Sequence, residues 1–476
     1  MQYQFHTTPM EHQKNALLKG WSHQGFAYLM GTGTGKTKTT IDNAGILYEL
    51  GKISGILILA NKGSYTNWIP ELETHLPPRI ARRIYVWDGS NSQRNRLQYQ
   101  SLLGYDGLAI VLMNIEALSN NKARAYDLAQ NFLGTGDRMM VVDESTTIKN
   151  ISAMRTKNTL ELGKLAKFRR ILTGTPVTQS PLNIFSQFEF LDSRLLGYKS
   201  YYAFRARYAV MQKVDFGGRT IQVPVGYRNL EELKDKIAPH SFRVIKEDCL
   251  DLPPKIFQTY FTEMSDEQAK IYGNVRDFAV AELATETYVT ATEVISRILR
   301  LHQIVCGYAV DELGEIHDLS DRRIHSLLEV IEEMEGQTII WANYRHNISK
   351  IKEALAKEYG EDSVITYYGD TSQNDRDLGR EKFQDGRVRF FVSNPQTGGY
   401  GLTLTAASNV IYYSNNYSLE KRIQSEDRAH RIGQKKSVTY VDLVCKDTVD
   451  EKILASLRKN MDMSRIITGD TWREWI

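Results

Sequence analysis

A chain of 476 residues is too long for one compact core, so two or three domains are expected. Its 42% hydrophobic and 25% charged residues are those of a globular protein. A mean hydropathy of −0.40, with no apolar run near the ~20 residues of a membrane span, argues against a membrane protein. The net charge of +3 tolerates a nucleic-acid partner without demanding one. Cys249, Cys306 and Cys445 are too dispersed for a disulfide framework and favour a reduced, cytoplasmic setting.

The chain begins MQYQFHTTPM, which lacks a basic start followed by an apolar run, so no signal peptide is expected. Short apolar runs then follow at 26–30, 55–60, 108–113, 139–142 and 170–173. Helical patterns such as Ile41, Ala44, Ile46, Leu47 and Leu50 lie between them. That alternation predicts an α/β fold, a parallel sheet with helices on both faces. The pattern stops near Thr178, and residues 181 to about 246 read mostly as helices. Two prolines in DLPPKIFQTY mark a break. Helix resumes from 265 to about 301, where His302 near Cys306 is too few ligands for a zinc site. A second strand–helix alternation begins with TIIWAN (338–343) and continues through 364–368, 387–393, 410–413 and 439–443. Two α/β units therefore flank a helical middle, with boundaries expected at 1–246 and 247–476, and helical insertions at about 181–246 and 256–310.

MGTGTGKTKTT (30–40) follows an apolar strand and opens a helix, the context a phosphate loop requires. Gly31, Gly33 and Gly35 let the backbone turn its N–H groups toward phosphate oxygens, with Thr32 and Thr34 between them. The helix N-terminus adds partial positive charge. Lys36 would neutralise the β- and γ-phosphates of ATP, and the Thr37 hydroxyl would ligate Mg²⁺. Met30 stands where the usual pattern has its first glycine.

VVDESTTIKN (141–150) is the tip of a later apolar strand. Beside a phosphate loop, Asp143 would hold Mg²⁺ and Glu144 would orient and deprotonate the attacking water. A third strand ends in Thr173-Gly174-Thr175-Pro176, small hydroxyl residues able to report the phosphate state to the acids.

In this order the motifs resemble superfamily 2 nucleic-acid motors, and more finely the Snf2 (SWI2/SNF2-like) family, in a minimal bacterial or phage-type form without accessory domains. ILILANKGSYTNWIPEL (56–72) resembles motif Ia and IVLMNIEAL resembles motif Ib. DESTTIKN resembles that family's D-E-x-H-x-x-K-N, with Thr146 where histidine is expected. FRVIKEDCLDLPPK (242–255) resembles the exit from the first lobe. VSNPQTGGYGLTLTAASNVIYYSNNYSLEKRIQSEDRAHRIGQ (392–434) resembles motifs V and VI, and TVDEKI (448–453) the element that follows.

The resemblance implies two RecA-like lobes with helical protrusions, and an ATPase that tracks along double-stranded DNA. It implies that Gln13 reads adenine and that Gly401 lies at the nucleotide. Arg428 and Arg431, three apart on one helix face, would stabilise charge on the transferring phosphoryl group, with Gln424 a turn upstream. Lys62, Asn67, Asn114, Lys149, Asn150, Asn343, Thr397 and Gly398 would touch nucleic-acid phosphates, which position without reading sequence. Single-stranded DNA or RNA stays open as a partner. A strand-separating helicase and an ATP-switched binding clamp are the alternative readings. Arg169 and Arg170 read as solvated or packed, and TWREWI at the C-terminus as docking on the second lobe.

Overall fold

The computed structural model describes residues 3–62, 64–120, 124–178, 180–216, 219–249, 251–285, 291–367, 373–398 and 402–468. TWREWI lies outside them. The chain divides into two compact units. One comprises Met1–Val210, Val225–Leu250 and Met461–Ile476, and the other Met211–Pro224 and Asp251–Asn460.

The first unit is built on β1 (Gly25–Met30), β2 (Gly55–Ala60), β3 (Arg82–Val86), β4 (Leu108–Asn114), β5 (Arg138–Asp143) and β6 (Phe168–Leu172). Next in the chain, β7 (Ala209–Phe216) and β8 (Arg219–Tyr227) pair with each other, their Met211–Pro224 stretch belonging to the second unit, and β9 (Ser241–Val244) returns to the main sheet of the first. The sheet runs β3-β4-β2-β5-β6-β1-β9, and its pairs are parallel. Both faces are covered, so β2, GILILA, is buried at every position. Phe26, Tyr28 and Met30 of β1 pack with Ile41, Ala44 and Leu47 of the following helix, and with Ile56, Ile58 and Val141 of neighbouring strands. Each such side chain is worth about 1.5–3 kcal/mol of burial.

The functional consequence lies in strand order. β5, β6 and β1 are adjacent, so their carboxyl ends bring Asp143, Thr173 and the 31–36 loop to one edge. In open parallel sheets that edge is where ligands bind.

The second unit has β10 (Lys255–Thr262), β11 (Tyr308–Val310), β12 (Ile316–Asp318), β13 (Gln337–Trp341), β14 (Val364–Tyr367), β15 (Phe390–Ser393), β16 (Ala407–Tyr412) and β17 (Val438–Cys445). Its main sheet, β10-β17-β16-β13-β15-β14, is also parallel. One face carries Leu327, Ile340, Ile348, Ile351 and Ile411, the other Ile339, Trp341, Phe391 and Tyr412. The α/β class predicted from the alternating pattern is the class observed.

Two expectations change, and for Arg170 the packed alternative is the one observed. Residues 181–246 hold helices Ile184–Leu191, Tyr201–Tyr208 and Leu230–Ile237, but also the β7–β8 pair and the sheet strand β9. β9 has four residues, too few to show a period, and its partner β1 is distant in the chain. Residues 256–310 are likewise not wholly helical: after β10 come helices Asp266–Thr285 and Ala291–Val305, then β11. β10 is legible only through its eight-residue parallel register with β17. Arg170, read as solvated or packed, is fully buried in a parallel sheet. Its guanidinium donates to Asn43 Oδ1 at 2.8 Å and to the carbonyls of Gln24, Arg169, Gly20 and Trp21. Burial lowers its pKa from the ordinary arginine value.

Candidate active site

The phosphate loop leaves β1 and enters the helix Lys36–Glu49 through left-handed residues. Gly33 has φ 81° and Gly35 φ 85°. A Cβ at Gly35 would stand 2.1 Å from the Gln13 amide nitrogen, so both backbone and neighbour require glycine there. Gly31 donates its N–H to the Val244 carbonyl at 2.9 Å, which hangs the loop on β9 as well as β1. Thr34 closes the turn by donating its hydroxyl to Gly31 O at 2.7 Å. Thr32 and Thr37 are partly exposed on the same loop. The Thr37 hydroxyl makes no hydrogen bond among the described residues.

Lys36 is buried, with Nζ donating to Met30 O at 3.0 Å and Gly31 O at 3.3 Å. The ammonium is thus folded into the loop it would serve. Gln13 is also buried. Its Nε2 donates to Thr34 O at 3.1 Å, and its Oε1 accepts from Met10 N at 3.0 Å. His12 Nε2 lies 2.7 Å from the same Thr34 carbonyl. The upstream glutamine therefore braces the loop directly.

Asp143 ends β5. Its Oδ2 accepts from Trp68 Nε1 at 3.0 Å and its Oδ1 from the Glu144 N–H at 3.0 Å. Burial raises its pKa, opposed by nearby Lys36 and by these two donors. Glu144 takes φ 49° and ψ 64°, a left-handed conformation costly for a side chain of its kind. It caps the short 3₁₀ turn Ser145–Ile148, in which Ser145 and Thr146 are buried.

The third strand end completes the edge. Thr173 is buried, and its Oγ1 accepts from the Thr175 N–H at 3.1 Å. A Cβ on Gly174 would meet Met30 O and Thr32 N at 3.3 Å, so this loop lies directly on the phosphate loop. Arg243 of β9 donates to Gly174 O at 2.9 Å and Leu29 O at 3.2 Å, tying the two together.

In the second unit, the helix Leu419–Ala429 carries Gln424 and Arg428, both buried. Arg428 donates Nε to Gln424 O at 2.9 Å and Nη1 to Leu402 O at 3.1 Å. Arg431 does not share that helix face, because the helix ends at Ala429 and His430 leaves helical geometry. Gly433, at φ 102°, turns the chain, and Gln434 Nε2 latches it to the carbonyls of Thr405, Ala407 and Ala429. Arg431 nevertheless reaches Leu402 O at 3.3 Å, so both guanidinium groups converge on one carbonyl. The charged helix is not a solvated one. Arg422 binds Glu426 at 2.8 Å, pairs with Asp442 and stacks 3.5 Å from the Tyr412 ring centre. Burial would lower the Arg422 pKa, but Asp442, Tyr412 and Glu426 together hold it above the ordinary value.

The expected nucleic-acid contacts are dispersed. Lys62 and Asn67 are exposed after β2, and Asn114 ends β4. Lys62 and Asn114 share a cleft of about 420 Å³ with Tyr65, Trp87 and Arg124. Lys149 donates to Thr178 Oγ1 at 3.0 Å, and Asn150 Oδ1 accepts from Ser152 N at 3.0 Å. Asn343 spends its side chain internally, donating to Ser414 O at 3.3 Å and accepting from Asn416 at 3.2 Å. Thr397 and Gly398 end the short helix Pro395–Gly398. Gly401 lies outside the described residues. Sequence reasoning missed Trp68, Arg243, Gln187 and Gln434 as organising residues. Trp68, Arg243 and Gln434 lie inside quoted motifs; Gln187 has no local signal.

Two parallel α/β units, one with a phosphate loop facing paired acids, define the class of P-loop nucleotide-binding proteins. The family model for the SNF2-related domain matches residues 29–309, and that for the helicase conserved C-terminal domain matches 322–433. The first alone covers more than half the chain, which belongs to the SNF2-related family. Relatives include a putative ATP-dependent helicase/translocase, YwqA, of Bacillus subtilis, 28% identical over 428 residues. That match covers 87% of this chain and 43% of the relative. The DNA annealing helicase and endonuclease ZRANB3 of Bos taurus is 27% identical over 444 residues, covering 92% of this chain and 38% of the relative. The chain thus spans less than half the length of these relatives. Among solved structures, the Sulfolobus solfataricus SWI2/SNF2 ATPase core in complex with dsDNA aligns at 25% identity. It covers 99% of this chain and 95% of that one, with a TM-score of 0.43.

Proposed function

We propose that this chain is an ATP-hydrolysing motor that tracks along double-stranded DNA. The observation that carries the reading is the shared carboxyl edge of β1, β5 and β6, where Lys36, Asp143, Glu144 and the 173–175 loop adjoin the phosphate loop. Family membership and the helicase and translocase names of the relatives support it.

The site fits a magnesium nucleotide. Gly33 and Gly35 turn the loop backbone through left-handed φ, the Thr37 hydroxyl is uncommitted among the described residues, and Asp143 is oriented by the Trp68 indole and the Glu144 N–H. Thr37 and Asp143 would hold Mg²⁺, which would supply charge neutralisation on the phosphates. Lys36 holds the β- and γ-phosphate charge, and Glu144 orients and deprotonates the attacking water. Arg428 and Arg431 are the candidates for stabilising the transition-state charge, with Gln424 holding Arg428 through its carbonyl. Gln13 keeps the loop in its binding shape.

ATPase assays with duplex DNA, single-stranded DNA and RNA test this reading. Stimulation by duplex DNA is expected, together with displacement of a triplex-forming strand during turnover. Strong stimulation by RNA alone refutes it. Absence of hydrolysis under every condition favours a nucleotide-switched clamp.

A further inference from the structure

We propose that Gln187 is a positioning residue for ATP turnover, fixing the Glu144 loop relative to the 173–175 loop through Ser145 and Pro176. The inference rests on the ATPase reading above and adds to it a residue outside the phosphate loop, the acid pair and the arginines.

Gln187 sits at the centre of the helix Ile184–Leu191, surrounded by buried Ile184, Phe185, Phe188, Phe190 and Leu191. Packing alone would be served by another apolar side chain, and a buried amide is tolerated only when its bonds are made. Here both ends are satisfied. Oε1 accepts from Ser145 Oγ at 2.6 Å, and Nε2 donates to Pro176 O and Asn183 O, each at 2.8 Å. Gln187 and Ser145 are both fully buried, at 0% exposure, so the pair lies out of competition with water.

The two arms end at the two loops that matter. Ser145 directly follows Glu144, whose left-handed backbone must be held by its surroundings. Pro176 directly follows Thr173-Gly174-Thr175, and Gly174 is packed on Met30 and Thr32 of the phosphate loop. Glu144, Ser145, Gln187, Pro176, Gly174 and Thr32 thus form a continuous path from the water-activating carboxylate to the phosphate loop. A branch runs outward. Asn183, which receives a Gln187 bond, also accepts from Thr178 Oγ1 at 3.4 Å, and Thr178 in turn accepts from Lys149 Nζ at 3.0 Å. The candidate nucleic-acid loop 149–150 therefore joins the same network. A charge-free amide is suited to this task. Its donor and acceptor ends are distinguishable, so it sets orientation without perturbing the acids.

The test uses the full chain with Ser145→Ala, Gln187→Leu and the double variant. The double variant replaces the Ser145–Gln187 pair by an apolar one, so neither of those two side chains is left with an unpaired polar atom, and only the Pro176 and Asn183 carbonyls lose the amide donor. We measure melting temperature, KM for ATP, and kcat with and without duplex DNA. Expected is a double variant that remains cooperatively folded, with a melting temperature lowered only by the loss of the Pro176 and Asn183 bonds, and that keeps KM within about twofold. Its DNA-stimulated kcat should fall by about ten- to a hundredfold, the scale set by misplacing reacting groups by ~1 Å. Ser145→Ala alone, the mildest cut, shifts kcat in the same direction. A folded double variant with kcat within about twofold of the wild type overturns the proposal, as does an unchanged kcat in Ser145→Ala. A wild-type chain that hydrolyses no ATP refutes the ATPase reading instead, so the two failures are distinguishable.

Discussion

His302 makes the stability of the second unit depend on pH. It lies in the helix Ala291–Val305, buried, with Nδ1 2.7 Å from the Tyr344 hydroxyl and Nε2 3.3 Å from Asp450 Oδ1. Asp450 also receives Arg323 Nη1 at 2.7 Å and the Cys445 N–H at 3.1 Å. Arg323 further donates to the carbonyls of Tyr413 and Leu443, so the cluster joins helices Ala291–Val305, Arg322–Glu332 and Val449–Thr468 to the sheet. Burial pushes the imidazole pKa down, but Cys306 and Asp450 outweigh it and carry it from 6.5 up to about 9. A pKa raised by folding means that the native state holds the proton more tightly than the unfolded chain. The resulting stabilisation is complete below pH 6.5 and is lost as pH rises through about 9. At about 1.4 kcal/mol per pH unit, that interval is worth about 3 kcal/mol. Denaturant unfolding at the two ends of the interval reads it, with Trp341, buried in this unit, as the fluorescent reporter. His302→Gln should lower stability at pH 6.5 and flatten the alkaline decline. A wild-type protein that loses no more stability than His302→Gln across the interval refutes the reasoning. Asp450 gives the opposite limb. Burial would raise its pKa, yet Arg323 and His302 hold it far below the ordinary carboxylate value, so its stabilisation is lost only in strong acid.

Asp143→Asn and Glu144→Gln should each reduce ATP turnover by about 10²–10⁴-fold while ATP binding persists, measured by steady-state hydrolysis and nucleotide titration. Normal turnover in Glu144→Gln would remove the central assignment. Gly35→Ala combines a forbidden φ with a collision at Gln13, so it should abolish nucleotide binding, read by fluorescence titration. Arg422→Met leaves Asp442 and Glu426 buried with one cation fewer, and should cost about 3–5 kcal/mol of stability. A melting temperature equal to the wild type would mean that Lys255, 3.2 Å from Glu426, suffices alone. Burial raises the Asp143 pKa, so in metal-free protein nucleotide affinity should change as pH crosses that carboxyl's raised value, and Asp143→Asn should erase the change.

The sequence by itself determined the α/β class, the motif order, and the placement of a phosphate loop, an acid pair and a hydroxyl loop at three strand ends. Those features are local. A strand is apolar because both its faces are buried, and a phosphate loop needs glycine where φ is positive, so each leaves its mark in neighbouring residues. Tertiary structure alone decided which strands are adjacent. β9 and β10 carry little period of their own and belong to sheets only through partners far away in the chain. It also decided which polar residues are buried. Nothing near Gln187, Arg170 or Arg422 in sequence announces that each will meet its hydrogen-bonding partners in a closed interior. The end of the helix at Ala429 was equally illegible, because it is set by the carbonyls that Gln434 finds across the fold. Ser145 is buried for the same reason: its partner is Gln187, 42 residues later in the chain.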